Sequence, residues 1–313
     1  MPTTRLDTRL ASPDWETRFV AVRELAGRKG RKILDLLRRA AADRHQSVRC
    51  AAAICLGDVP GKESIDCLVE LLADPDEWVR LRAAQSLGKL RAPESLDYLV
   101  QHLESEEDVK VKATMVKAIG AYADERYLPV LINYPTDEDP RVRANTIESL
   151  GNFKSRKVQR LVKGFVKDPN SRIRANAARV LALTGSATAA RRTFSDMLRS
   201  ENQYTRSSAV FALGELRQEA FLPSLLALSG DVSFVVRRNV VDALVKYGEG
   251  VRRQVEALLD DRDSLRRANG CQVLARIGDR RSLRKLIPLL EDADGEVRAR
   301  AEEAVDLIRR RGE

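Results

Sequence analysis

Apolar residues along the chain recur at spacings of three, four and seven, and the pattern restarts about every 31 residues. A basic residue marks each restart: Arg18, Arg49, Arg80, Lys112, Arg143, Arg174, Arg206, Arg237, Arg267 and Arg298. With that anchor as position zero, position +3 is mostly small (Ala21, Ala52, Ala83, Ala177, Ala209, Ala301, against Met115, Thr146, Val240 and Gly270). Position +7 is Leu25, Leu56, Leu87, Ile119, Leu150, Leu181, Leu213, Leu244, Leu274 or Val305. Residues so spaced share one side of an α-helix, which predicts a helix B in every repeat with 0, +3, +4 and +7 toward a core. A second stripe at −12 and −9, such as Leu68 and Leu71, Phe194 and Met197 or Leu225 and Leu228, predicts a helix A before it.

Polar positions repeat as well. Between A and B, carboxylates occupy −6 (Asp43, Asp74, Glu106, Asp137, Asp168, Asp231, Asp261, Asp292) and −4 (Asp14, Asp76, Asp108, Asp139, Asp263, Asp294). Both columns are expected to cap helix B, where a carboxylate accepts orphan N–H groups and meets the positive end of the helix dipole. The recurring charges are also expected to pair between neighbouring repeats. Gly57, Gly88, Gly120, Gly151 and Gly214 at +8 are expected where helix B ends or passes close to a neighbour.

The third repeat reads Asp-Pro-Asp-Glu-Trp-Val-Arg-Leu-Arg-Ala-Ala-Gln-Ser-Leu-Gly from Asp74 to Gly88. It resembles the HEAT family, in the short form found in phycobilin lyases and many bacterial scaffold proteins. Pro129 and Pro223, fourteen residues before their anchors, match the kinking proline of HEAT helix A. The resemblance implies an all-α fold, a right-handed α-solenoid of about ten helix hairpins. One solenoid over residues 1–313 is expected, with terminal repeats 1–30 and 279–313 as caps. Glu302 and Asp306, in columns otherwise apolar or glycine, suit the polar outer face of such a cap. Ankyrin and tetratricopeptide signatures are absent. Arg266 stands where the third repeat has Val79, so the register of the ninth repeat rests on Arg267 alone.

The 313 residues are 43% hydrophobic, which excludes wholesale disorder. No apolar run is long enough for a membrane span, and the charged N-terminus lacks a secretory or transit pattern, so a cytoplasmic location is expected. The net charge of +9 hides an uneven spread: residues 61–150 carry −7 and residues 151–210 carry +10. Within the basic stretch, Arg156, Arg160, Lys163 and Lys167 follow at spacings of four, three and four. They are expected on one face of a helix A, opposite Val158, Leu161, Val162, Phe165 and Val166. This basic patch is a candidate contact for an acidic protein or a polyanion.

Catalytic chemistry finds little support. His45 and His102 lack partners at metal-ligand spacing, and Cys50, Cys55, Cys67 and Cys271 read as reduced thiols rather than a zinc site or a disulfide framework. Gly57-Asp-Val-Pro-Gly-Lys-Glu63 is one residue short of a phosphate loop and lacks its Ser or Thr. No metal, cofactor or enzymatic activity is expected. Binding is expected instead. Positions +2, +5 and +9 of helix B point away from the core, toward what the resemblance makes the concave surface. There +2 reads Thr114, Asn145, Asn176, Ser208, Asn239, Asn269, and +5 reads Lys117, Glu148, Arg179, Phe211, Asp242, Gln272. Asn145, Asn176, Arg179, Phe211, Asn239, Asp242 and Asn269 are therefore the candidate site for a peptide or helix of a protein partner, in a scaffold or adaptor. The asparagines have an alternative role, hydrogen bonding between repeats. Phe211 is the sharpest candidate, as an aromatic ring directed outward. Two alternatives stand beside this reading: a phycobilin lyase-like chromophore-handling protein, which the repeat type allows, and a nucleic-acid or polyanion binder. Few aromatics and an acidic neighbouring segment weigh against nucleic acid.

Overall fold

The computed structural model describes residues 2–311, with side chains from Leu6 onward, and these residues form helices, 3-10 turns and loops without a strand. The fold is all-α, and packing groups the chain into two units, residues 1–162 and 163–313. The first holds α1 (Pro2–Leu10), α2 (Trp15–Arg23), α3 (Arg31–Ala41), α4 (Gln46–Leu56), α5 (Lys62–Glu70), α6 (Glu77–Leu90), α7 (Leu96–Ser105), α8 (Val109–Tyr122), α9 (Leu128–Leu131), α10 (Pro140–Leu150) and α11 (Arg156–Val162). The second holds a 3-10 turn (Lys163–Lys167), then α12 (Ser171–Leu183), α13 (Ala187–Leu198), α14 (Gln203–Leu216), α15 (Leu222–Ala227), α16 (Phe234–Tyr247), α17 (Arg252–Leu258), α18 (Ser264–Ile277), α19 (Leu283–Leu286) and α20 (Gly295–Arg311). Even-numbered helices are the B helices of the repeats. In each unit a B helix packs on the B helices before and after it, as α6 does on α4 and α8, and α16 on α14 and α18.

The apolar columns form the cores. Every residue at +7, from Leu25 to Val305, is at most 2% exposed. Glycine at +8 has a more specific role. Gly88, Gly120 and Gly214 lie inside α6, α8 and α14, where an added Cβ would stand 2.9, 2.2 and 2.8 Å from the Cβ atoms of Ala118, Ser149 and Ala243 on the next B helix. Close approach, rather than helix termination, explains them. The helices end three residues later on left-handed residues that are not glycine: Arg91 (φ 51°), Ala123 (φ 54°) and Arg217 (φ 49°). Pro129 and Pro223 stand in the first turns of α9 and α15, after 3-10 turns at Glu125–Tyr127 and Glu219–Phe221. There the missing N–H is harmless, so these prolines start a helical segment rather than kink one.

The two carboxylate columns divide the work. At −4, Asp14, Asp76, Asp108, Asp139, Asp263 and Asp294 cap helix B, and Asn170 and Asn202 do so in repeats six and seven. At −6 every carboxylate accepts one backbone N–H, and five of the eight also grip the anchor of the preceding repeat, the pairing between neighbouring repeats that the recurring charges predict. Arg18, Arg49, Arg80, Arg206 and Arg267 hold Asp43, Asp74, Glu106, Asp231 and Asp292 through Nε and Nη2 at 2.6–2.9 Å. Nη1 of each guanidinium donates to a carbonyl of its own A–B turn, as Arg206 does to Ser200 O (2.7 Å) and Glu201 O (2.9 Å). The result is a ladder of two-pronged ion pairs between successive repeats. Arg267 in its rung secures the register of the ninth repeat, and its neighbour Arg266 pairs with Asp261 at 2.5 Å. Glu302 and Asp306 on α20 are exposed. Among the described residues no helix is long and apolar enough to cross a membrane.

Candidate functional site

In the second unit α14, α16 and α18 lie side by side and present their +5 and +9 residues together. Phe211 on α14 is 56% exposed, on a helix whose Val210, Ala212 and Leu213 are buried. Lys246 of α16 sits over its ring, with Nζ 4.9 Å from the centroid, and also pairs with Glu215. Asp242 of α16 pairs with Arg276 of α18 at 2.5 Å. Asn239 donates from Nδ2 to Ser207 Oγ at 2.7 Å. Phe211, Asn239, Asp242, Ala243, Lys246 and Arg276 line an open cleft of about 220 Å³. An aromatic face between a cation and an ion pair offers apolar contact area and charges of both signs, the combination that anchors and orients a peptide.

Of the seven candidate residues, this cleft unites Phe211, Asn239 and Asp242. The asparagine column is corrected in part. Nδ2 of Asn145 donates to Ala113 O at 2.9 Å, and Nδ2 of Asn269 to Ser229 O, each tying helix B to the repeat before it. Asn176 and Asn269 are buried, at 6% and 4% exposure, so neither offers its amide to a partner. Arg179 on α12 is half-buried, and Asn145 belongs to the first unit. Thr114 and Ser208 donate to carbonyls one turn back in their own helices. Lys246, Arg276 and Glu215 complete the site and were not among the candidates. All three occupy +9, an outward position whose residues carry the missing charges.

The basic patch is rearranged. Arg156 and Arg160 are exposed on α11, but the α-helix ends at Val162. Lys163 and Lys167 are exposed on the 3-10 turn, whose tighter winding removes them from the α-helical face that the spacing implied. Val158 and Val162 are buried as expected, whereas Leu161, Phe165 and Val166 are half-buried.

Other reactive side chains have structural surroundings. His45 caps α4, its Nδ1 accepting from Ser47 N–H at 3.3 Å, and its ring stacks on Trp15 with centroids 4.0 Å apart. Trp78 carries Lys110 over its ring at 4.6 Å. Burial pushes the Cys50, Cys55 and Cys67 thiols up to about 11 and Cys271 to about 12, which keeps them protonated and weakly nucleophilic at neutral pH. Burial likewise lowers His102, favouring its neutral form.

A family model described as HEAT repeats matches residues 4–88, 40–109, 68–138, 96–182, 158–245, 192–268 and 230–306. No curated protein matches the sequence. Among solved structures, YibA of E. coli is 19% identical, covering 78% of this chain and 91% of its own, with a TM-score of 0.50. A chain from the complex of Kap95p with RanGDP is 15% identical over 97% of this chain and 49% of its own, also with a TM-score of 0.50. The CpcE–CpcF phycocyanin lyase complex of Nostoc sp. PCC7120 is 19% identical over 91% of this chain and 93% of its own, with a TM-score of 0.43.

Proposed function

Because the chain belongs to the HEAT-repeat family, and so is a helical repeat scaffold, we propose that it is a non-enzymatic adaptor that docks a peptide or helix of a protein partner on the concave helix-B surface, along the ridge of α14, α16 and α18. The supporting observation is Phe211: a ring 56% exposed on an otherwise well-packed helix contributes little to folding and has the character of an interface anchor. Lys246 above the ring and the Asp242–Arg276 pair beside it give the groove a charge order that selects the direction of a bound chain. In this reading the repeats form one solenoid over residues 1–313, capped by 1–30 and 279–313, working in the cytoplasm.

The test is a photo-reactive phenylalanine analogue at position 211, compared with the same group at Ile287, which is exposed on a 3-10 turn away from the ridge. A protein crosslinked from 211 and not from 287 is then titrated against wild type and Phe211→Ala. The variant is expected to keep its melting temperature and to weaken binding by about 1–3 kcal/mol. A large loss of stability with binding intact would make Phe211 a packing residue and remove the proposed site.

A further inference from the structure

The ladder lacks its acid at the sixth anchor. Arg18, Arg49, Arg80, Arg206 and Arg267 each meet a carboxylate 25 or 26 residues ahead. For Arg174 the residue in that column is Ser200. Nη1 of Arg174 keeps the usual grip on its own turn, donating to Asp168 O at 2.6 Å and Pro169 O at 3.0 Å. The other two prongs meet no carboxylate: Nη2 donates to Thr205 Oγ1 at a long 3.3 Å, and Nε has no acceptor among the described residues. The position a carboxylate takes elsewhere opens here into a cleft of about 400 Å³, whose lining includes Lys167, Arg192, Asp196 and Ser200 with Arg174 and Thr205. Ser200 Oγ accepts from Asn202 N–H and Thr205 Oγ1 from Arg174, which leaves each hydroxyl a hydrogen to donate.

In an intact rung one guanidinium faces one carboxylate. In this cleft three cations face the single carboxylate of Asp196, an excess of two positive charges. We propose that the cleft binds a phosphomonoester dianion, which replaces the missing rung. Nε and Nη2 of Arg174, which meet no carboxylate here, match two phosphate oxygens as the same atoms of other anchors match a carboxylate elsewhere in the ladder. Lys167 and Arg192 supply the remaining charge, and Ser200 and Thr205 donate from the cleft wall. A phosphomonoester carries a charge of about −1.5 to −2 at neutral pH, close to the excess, whereas a carboxylate neutralises only half of it. The site is independent of the ridge at Phe211.

Calorimetric titration of the full chain with N-acetyl-O-phosphoserine amide, inorganic phosphate and N-acetyl-glutamate amide tests the proposal. Phosphoserine amide is expected to bind, and to bind more weakly as pH falls through about 6, where the phosphate takes its second proton. Ser200→Asp supplies the rung from within the chain. It is expected to hold or raise the melting temperature and to weaken phosphoserine binding by about tenfold or more. Arg192→Ala, on the exposed side of α13, is expected to weaken binding and reduce its salt dependence. Tighter binding of phosphoserine amide than of inorganic phosphate identifies a phosphorylated chain as the source, and equal binding identifies free phosphate. No binding by wild type, equal binding by Ser200→Asp, or equal affinity for the glutamate amide overturns the proposal. Phe211→Ala is expected to bind phosphoserine amide as wild type does, so the adaptor reading and this site stand or fall separately.

Discussion

Replacing Asp231 by Asn removes one charge from a rung while keeping its shape. Asp231 Oδ2 and Oδ1 accept from Nε and Nη2 of Arg206 at 2.7 and 2.8 Å, and the two side chains are only 5% and 11% exposed. The substituted amide would retain one acceptor oxygen and turn an N–H₂ group toward the guanidinium. Breaking a buried ion pair from one side costs about 3–5 kcal/mol, because the remaining charge stays desolvated. Arg206 keeps its two carbonyl partners and one side-chain acceptor, so the lower part of that range applies, about 3–4 kcal/mol. Arg206→Met combined with Asp231→Leu is expected to recover most of the loss, since no charge is then left buried. Urea unfolding followed by circular dichroism measures both. The acid limb gives a second readout. Burial pushes the Asp231 carboxyl up, but the hydrogen bonds from Arg206 and Ser233 N–H and the Arg206 charge outweigh it and hold it below its ordinary 3.8. A depressed carboxyl adds stability that is fully present above the unfolded value and is lost as pH falls through the folded one. The gap between wild type and Asp231→Asn is therefore expected to be constant near neutrality and to close below about pH 4. A loss under ~0.5 kcal/mol, or a gap unchanged in acid, would refute the ladder as a source of stability.

Two further substitutions probe the packing. Leu87→Ala empties a site with 0% exposure between neighbouring B helices and is expected to cost about 2–5 kcal/mol; calorimetry showing no loss would mean the +7 stripe is misassigned. Ala123→Gly relieves a left-handed residue at φ 54° and is expected to raise stability by about 0.5–1 kcal/mol in chemical melts, and a fall would refute the strain assigned to that helix end.

The repeat was legible because helical geometry links position in the chain to direction: once the anchors were aligned, +3 and +7 had to face inward. Features set by contacts across repeats were harder to read. Nothing in the spacing of Asp74 and Asp76 tells which carboxylate reaches Arg49 and which stays as a cap. Asn145 and Asn269 point outward by offset, yet their amides are long enough to fold back onto carbonyls of the preceding repeat. The switch from α11 to a 3-10 turn after Val162 moves Lys163 and Lys167 off the expected face without a proline or charge signal to mark it. Phe211 was found because an apolar residue at an outward offset contradicts its surroundings. Lys246 and Arg276 escaped because charge at an outward offset is what any solvated helix shows, and only their contacts with Phe211 and Asp242 give them meaning.

The ladder also bears on how the chain comes into being. Each of the five paired anchors meets its carboxylate after only 25 or 26 residues, so a rung needs just one further helix A to have been made. At roughly 5–20 residues per second of synthesis, a new rung becomes available every few seconds, and such short-range contacts are the kind that form fast. Repeats can therefore lock in the order in which they are translated, each emerging helix pair being clasped by the one before it. Where Ser200 stands in place of an acid, α14 must dock without that clasp, and the nascent chain advances on apolar contact with α12 until another anion fills the gap.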